Sequence, residues 1–126
     1  MKISKFEDLP IWQESREIVN KIYILLESNI KLKRDFSLSD QLKRSAYSIM
    51  LNIAEGFERS SNKEFANFLN IAKGSAGEVR CILYVLLDNN YIDKNKFLEL
   101  YNYAENISIK LSNFRKFLLK NSNFKK

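Results

Sequence analysis

The side chains that could do chemistry in this chain are carboxylates, amines, guanidinium groups and one thiol, because the sequence has no histidine and a single cysteine. Histidine is the usual proton carrier near neutral pH and a common zinc ligand. Cys81 cannot form an intramolecular disulfide, and its place in the apolar run 81–87 predicts an inert, packed thiol. We therefore expect no catalytic residue, no metal site and no cofactor, and we predict that the protein is not an enzyme.

Two carboxylate–guanidinium pairs have spacings that predict structural ion pairs. Glu55 and Arg59 are four residues apart in the order that favours pairing on a helix, worth about 0.2 to 0.5 kcal/mol. If the chain reverses near residue 60 or 61, antiparallel positions face each other and Arg44 is expected to contact Glu78. Acid–base catalysis by these carboxylates would need a second proton-transferring group, and without histidine we predict a structural role.

The basic residues are unevenly distributed. Residues 1–109 contain fifteen basic and fifteen acidic side chains, so the whole net charge of +6 resides in residues 110–126. Such an asymmetry suggests a polyanionic partner. A lysine-rich, solvated tail is the equally weighted alternative.

The chain that must position these residues is predicted to be helical throughout. It has one proline, three glycines and no Asn-Gly or Asp-Gly hairpin signal. Apolar residues recur at three- and four-residue steps, and Asp8, Ser37, Ser61 and Asp93 are placed to cap successive helices. We predict a single all-α domain over residues 1–126, an antiparallel up-down-up-down four-helix bundle. The predicted helices are about 9–28, 38–58, 62–89 and 94–120.

Two glycines fall inside the third predicted helix, where each costs about 1 kcal/mol relative to alanine. We expect the small side chains of residues 74–77 to let this helix approach Ser45 and Ser48 of the second helix closely. A phosphate-binding loop is not expected there, because a helix interior has no free N–H groups for an anion.

In this topology the N-terminus, the turn between the second and third helices, and the C-terminus lie at one end. Nine basic residues meet there against Glu7, Asp8, Glu58 and Glu64, an excess of five. We predict that they bind the nucleic-acid backbone without reading sequence. The nine candidates are Lys2, Lys5, Arg59, Lys63, Arg115, Lys116, Lys120, Lys125 and Lys126.

The middle of the chain resembles a known family. The residues that carry the resemblance are Gln41, Arg44, Ser48-Ile49, Asn52-Ile53-Ala54-Glu55-Gly56, Arg59, Glu64-Phe65, Phe68-Leu69, Ile71-Ala72, Gly74-Ser75 and Glu78, with Phe6, Leu9 and Trp12 near the start. Over about residues 6–118 the sequence is similar to the bacterial 23S ribosomal RNA intervening-sequence proteins, often called four-helix bundle proteins.

The resemblance implies a fold more firmly than a function. Some members of the family are encoded inside insertions in 23S ribosomal RNA genes. Similar bundles are accessory proteins of diversity-generating retroelements, forming basic homopentameric barrels that bind nucleic acid and a reverse transcriptase. No catalytic residues are carried over, and the net charge of +6 is modest for such a binder.

Self-assembly is also expected from the residues. The runs 22–26 and 81–87 are apolar around the whole helix, more than one bundle core can bury, which predicts a homo-oligomer. The resemblance makes a ring-like pentamer the expected form. The longest apolar run is far short of a membrane span and residues 1–8 do not form a secretory signal, so we expect a cytoplasmic protein without membrane contact.

The predicted function is therefore a non-enzymatic, homo-oligomeric helical bundle that binds RNA or DNA through a basic surface. The alternative is a structural or protein–protein interaction module, with another protein as its partner and with the lysines serving solubility.

Overall fold

The computed structural model of the protein describes residues 3–121 and residue 124, and within them it contains helices and no strand. A short 3-10 turn, Phe6–Asp8, precedes five α-helices. These are α1 (Pro10–Ser28), α2 (Ile30–Arg34), α3 (Phe36–Glu58), α4 (Asn62–Asp88) and α5 (Lys94–Lys120). The predicted all-α class is confirmed.

Four long helices form the bundle, and α2 is a short connector between α1 and α3. Each of α1 and α4 packs against both α3 and α5, so α1 and α4 lie on one diagonal of the bundle. Successive long helices run in opposite directions, as the predicted topology requires. At 1.5 Å per residue, the 27 residues of α5 span about 40 Å.

The start of α3 differs from the prediction. Residues 31–34, expected as a loop, form most of α2, whose cap is Asn29: its Oδ1 accepts a hydrogen bond from Leu32 N at 3.0 Å. Asp35, not Ser37, caps α3 and accepts from Leu38 N at 3.2 Å. Neither cap was predicted, because the apolar residues of a helix as short as α2 do not complete a recognisable period and the boundary between α2 and α3 therefore went unseen.

Two of the other predicted caps are present. Ser61 Oγ accepts from Glu64 N at 3.1 Å, and Asp93 Oδ1 accepts from Lys96 N at 2.8 Å. Asp8 does not cap α1: the helix begins after Leu9, and the Asp8 carboxylate accepts hydrogen bonds from Ser4 instead. Pro10 opens α1, where the missing N–H is not needed.

The core is aliphatic at its centre and aromatic towards the end where α3 joins α4. Phe57, Phe65 and Phe114 pack edge to face there, with ring centroids 5.3 to 5.9 Å apart. Among the described residues, the large side chains that are almost completely buried include Ile18, Ile22, Leu42, Ile49, Ile53, Leu69, Leu83, Leu100 and Ile107. Each long helix thus buries one hydrophobic stripe, and most of its polar residues lie on the outer faces.

Close approach of α3 and α4 depends only in part on the small residues that were expected. Ser75 Oγ donates to Ser48 Oγ at 3.0 Å, as the sequence suggested. Gly74 faces open space, and a Cβ at Gly77 would meet only Arg80 Nη2, at 3.7 Å. The glycine that the packing needs is Gly56, where a Cβ would lie 2.7 Å from the Cβ of Phe68.

Candidate nucleic-acid interface

The basic end of the molecule comprises the residues near the start of α1, the α3–α4 turn and the end of α5. Asn62 joins two of these elements, because its Nδ2 donates to Leu118 O at 3.3 Å and its Oδ1 accepts from Phe124 N at 3.4 Å. The Phe124 ring packs 5.2 Å from the Phe114 ring and 5.9 Å from the Phe117 ring. The α3–α4 turn and the end of α5 are thus held together by hydrogen bonds from the Asn62 side chain to backbone groups and by aromatic packing.

Lysines at this end have free ammonium groups. Lys5, Lys63, Lys116 and Lys120 are exposed, and the ion pairs of the described residues include none of them. Arg115 is half-buried, and its Nε has no hydrogen-bond partner within the described part of the chain. Of the nine predicted candidates, Lys2, Lys125 and Lys126 lie outside the described residues.

Arg59 has a structural role at the same end. Its Nη2 lies 2.9 Å from Glu55 Oε2, the ion pair predicted from their spacing, and its Nη1 lies 3.8 Å from Glu64 Oε2. The guanidinium also sits 4.8 Å from the centre of the Phe68 ring. Arg59 therefore links the last turn of α3 to the first turn of α4, and its charge is already shared by two carboxylates.

The predicted contact between Arg44 and Glu78 is wrong. Arg44 Nε pairs with Asp40 Oδ2 at 2.8 Å, one turn earlier on the exposed face of α3. Glu78 Oε1 instead accepts a hydrogen bond from Ser45 Oγ at 3.4 Å. The turn places Ser45 opposite Glu78, one residue later than we assumed, and one residue rotates a helix by about 100°.

Several of the residues that carry the family resemblance form a polar seam between α3 and α4. Beside the Ser48–Ser75 contact, Asn52 Nδ2 donates to Ser48 O at 2.8 Å and to Ser48 Oγ at 3.0 Å. Gln41 Nε2 donates to Ser45 Oγ at 3.4 Å. These side chains hydrogen-bond one another, so the seam helps to set the packing of the two helices.

At the opposite end, three lysines are engaged, whereas Lys94 and Arg34 are exposed and make no ion pair within the described residues. Lys33 pairs with Glu27 at 3.3 Å, and Lys96 pairs with Glu99 at 2.9 Å. Lys31 Nζ donates to Asn89 O at 3.2 Å. Nearby, the hydrogen bond from Tyr91 Oη to Asp35 Oδ2, 2.7 Å long, raises the pKa of the Tyr91 phenol above its ordinary value. This end is therefore the weaker candidate for a polyanion.

A groove between α4 and α5 was not predicted from the sequence. Lys73 and Arg80 line it from α4, and Ser108 lines it from α5. The Nε of Arg80 and the Oγ of Ser108 are buried and have no hydrogen-bond partner within the described residues. The sequence did contain a signal for this groove. Lys73 and Arg80 are seven residues apart and so lie on one face of the helix, and the two glycines between them are unusual inside a helix.

In residues 3–121 and 124, no three acidic, cysteine or histidine side chains are grouped so that they could hold a metal ion. Cys81 is exposed, so the expectation of a packed thiol is wrong: in the run 81–87 it occupies the outward face, while Ile82 and Leu83 are buried.

None of the described helices is long and apolar enough to cross a membrane.

Comparison with known proteins agrees with the fold. A crystal structure of a protein of unknown function from the S23 ribosomal protein family of Bacteroides thetaiotaomicron VPI-5482 has a TM-score of 0.78 and 29% sequence identity to this chain. The match covers 84% of this chain and 98% of that one. No curated protein matches. The model of the 23S rRNA-intervening sequence protein family matches residues 7–113, so this chain belongs to that family.

Proposed function

We propose that this protein is a non-enzymatic homo-oligomer that binds RNA or DNA through the basic end of its helical bundle. The observation that carries the proposal is the difference between the two ends. Lys63, Lys116 and Lys120 are exposed without a carboxylate partner in the described residues, whereas at the other end Lys33 and Lys96 are paired and Lys94 is the lysine left without a partner there. Free ammonium groups gain more from a phosphate than paired ones do, because no ion pair has to be broken first.

Backbone contact is the mode of binding that this chemistry favours. Lysine is a flexible point charge that attracts phosphate without reading base edges. The exposed Phe117 lies next to Lys116 and offers a flat ring for a base to stack on. We therefore propose affinity for single-stranded nucleic acid with little sequence preference.

A homo-oligomer is supported by apolar side chains that the monomer leaves outside. Phe36 is 80% exposed and Ile24 is 67% exposed, and Tyr23 beside them is 44% exposed. A groove of about 610 Å³ runs between Tyr23 and Phe36. Burying these side chains against other copies would remove them from water. In a ring with parallel subunits, the basic ends would combine on one rim.

The test is a triple substitution at the basic end. Replacing Lys63, Lys116 and Lys120 by glutamine should weaken binding of a labelled single-stranded RNA. If each lysine neutralises one phosphate, the slope of log affinity against log salt should fall by about 2, since each single-strand contact contributes about 0.7. Fluorescence anisotropy at several salt concentrations measures both quantities.

The matched control removes the same number of charges from the other end, with Lys31, Lys33 and Lys94 changed to glutamine. It should leave the slope nearly unchanged. Equal loss in both variants would mean that only the net charge matters. Failure of the unmodified protein to bind RNA or DNA at low salt would reject the proposal in favour of a structural or protein–protein interaction module.

A further inference from the structure

The groove between α4 and α5 has a volume of about 310 Å³ and is lined mainly by polar side chains. Lys73 and Arg80 contribute from α4. From α5 come Glu105, Ser108, Ser112 and Asn113. The groove lies on the side of the bundle, separate from the free lysines at the basic end.

Arg80 lies along the groove with part of its guanidinium unsatisfied. Its Cζ is 5.9 Å from the centre of the Tyr101 ring, and Nη2 comes within 3.7 Å of the position that a Cβ on Gly77 would occupy. Its Nε is buried and, within the described residues, lacks an acceptor. A buried guanidinium N–H without an acceptor is unfavourable, because it has lost water and gained nothing in return.

Ser108 supplies a second unsatisfied donor. Its side chain is 5% exposed, and its hydroxyl has no partner in the described part of the chain. Buried polar atoms in native proteins are nearly always hydrogen-bonded. Two buried donors on residues that line one groove, beside the exposed side chain of Lys73, indicate that the groove takes an acceptor with negative charge.

We propose that this groove binds one phosphate group of a nucleic-acid backbone, with Arg80 Nε and Ser108 Oγ as donors and Lys73 as a neighbouring charge. The inference rests on the proposed nucleic-acid binding and extends it to the side of the bundle. A planar guanidinium, a hydroxyl and an ammonium group can surround one tetrahedral oxyanion. Glu105 reduces the charge of the groove from two cations to a net charge of +1, which matches the single charge of a phosphodiester.

The position of the groove favours a nucleic-acid strand over an acidic side chain of another protein. Arg115, whose Nε also lacks a partner in the described residues, lies seven residues beyond Ser108 and so on the same face of α5. Lys116 and Lys120 follow at the basic end. Ser108 and Lys120 are twelve residues apart, or about 18 Å along the helix. A repeating polyanion can occupy all of these positions, whereas a single carboxylate can occupy one.

The unsatisfied Nε–H group of Arg80 is itself the probe for the test. Arginine Nε–H groups give resolved signals in ¹H–¹⁵N correlation spectra, and Arg80→Lys identifies the signal of Arg80 by its loss. An oligouridylate of about ten nucleotides is added to the labelled full-length chain. We expect the Arg80 signal to shift saturably. Arg80→Gln should weaken the affinity for this oligonucleotide about tenfold, as expected for loss of a charged hydrogen bond, and Ser108→Ala should weaken it less.

Four controls make the outcome decisive. Arg34→Gln removes an equal charge from the exposed surface of α2 and should leave affinity nearly unchanged. Glu105→Gln should strengthen binding, since it removes the one carboxylate that lines the groove. Melting curves of all variants show that the fold is kept, and Arg80→Lys, which preserves charge, should bind better than Arg80→Gln.

The failure of this inference differs from failure of the proposed function. If RNA binds and its affinity responds to the lysines of the basic end while the Arg80 signal stays still, the groove is not a phosphate site although the protein binds nucleic acid. If inorganic phosphate shifts the signal and the oligonucleotide does not, a backbone site is excluded. If the signal moves with protein concentration alone, another copy of the chain occupies the groove, and the inference is again overturned.

Discussion

Residues of the same type have different roles here according to the face they occupy. Arg44 pairs with Asp40 on an exposed helix face, where the pair contributes little to stability. Arg59 bridges two helices through Glu55 and Glu64. Arg80 is half-buried with an unsatisfied N–H group within the described residues. Sequence spacing identified the Glu55–Arg59 part of the second role, because these residues are four apart at the end of α3 and their geometry is local.

The glycines provide a paired prediction about stability. Gly56→Ala should lower the free energy of unfolding by about 1 to 3 kcal/mol, because the new Cβ would overlap Phe68 and Phe65, at 2.7 and 2.8 Å. Gly74→Ala should raise it by up to about 1 kcal/mol, since nothing lies within 4 Å and alanine favours the helix. Urea denaturation at one fixed protein concentration measures both. Stabilisation by Gly56→Ala would show that α4 can move aside at no cost.

At the scale of elements, a polar belt attaches α1 to α5. Lys110 Nζ lies 2.6 Å from Glu14 Oε1, and Lys21 Nζ lies 3.6 Å from Glu99 Oε2. Between them, Tyr103 Oη donates to Glu17 Oε2 at 3.2 Å. The contacts join residues far apart in sequence, so neither the partners nor their order along the helices followed from local spacing.

Tyr103 makes part of this attachment sensitive to alkaline pH. Burial, followed by the charge of Glu17, raises the pKa of the Tyr103 phenol from 10 to about 12. The folded state thus holds this proton more tightly than the unfolded state does. The stability from Tyr103 is therefore complete below about pH 10 and is lost as the pH rises through about 12.

We expect Tyr103→Phe to lose less stability than the unmodified protein between these two pH values. Thermal melts followed by circular dichroism would show the difference, with Tyr23→Phe on the exposed face of α1 as the control for removing a phenol. Parallel alkaline decline in all three proteins would mean that Tyr103 does not titrate differently in the folded and unfolded states.

At the scale of the whole molecule, the bundle leaves apolar side chains outside on several helix faces, and two of these places adjoin the apolar runs 22–26 and 81–87. One is the junction of α1, α2 and α3, with Ile24 and Phe36. The other is the outward face of α4 near its end, where Tyr84 is 49% and Val85 40% exposed. The two runs that appeared too apolar for a single core do have outward-facing members. These faces are the candidates for contact between copies.

Assembly can be measured directly. Light scattering should give a mass several-fold above the 14.9 kDa of one chain, and about five-fold for the proposed ring. Changing Phe36 and Ile24 together to glutamate should reduce this mass, because a buried charge without a partner strongly disfavours an interface. The control Lys63→Glu plus Lys116→Glu adds acidic side chains at the other end of the bundle. A monomeric mass at micromolar concentration would contradict the proposed oligomer.

Much of the architecture was predictable from amino-acid order. Hydrophobic period, the scarcity of glycine and proline, and the caps at Ser61 and Asp93 depend on interactions within one helix or one turn. The same is true of the Glu55–Arg59 pair. The boundaries of the long helices therefore fell within a few residues of the expected ones, and the charge excess of the last seventeen residues was visible by counting.

Contacts between helices were decided by packing. A shift of one residue in the α3–α4 turn was enough to put Ser45 in place of Arg44 opposite Glu78, because each residue turns a side chain by about 100°. Burial of one face of α4 sent Cys81 outward. It also enclosed the donors of Arg80 and Ser108 in a groove between two helices. Which polar groups lack a partner depends on every neighbouring helix at once, so local sequence patterns could not reveal it.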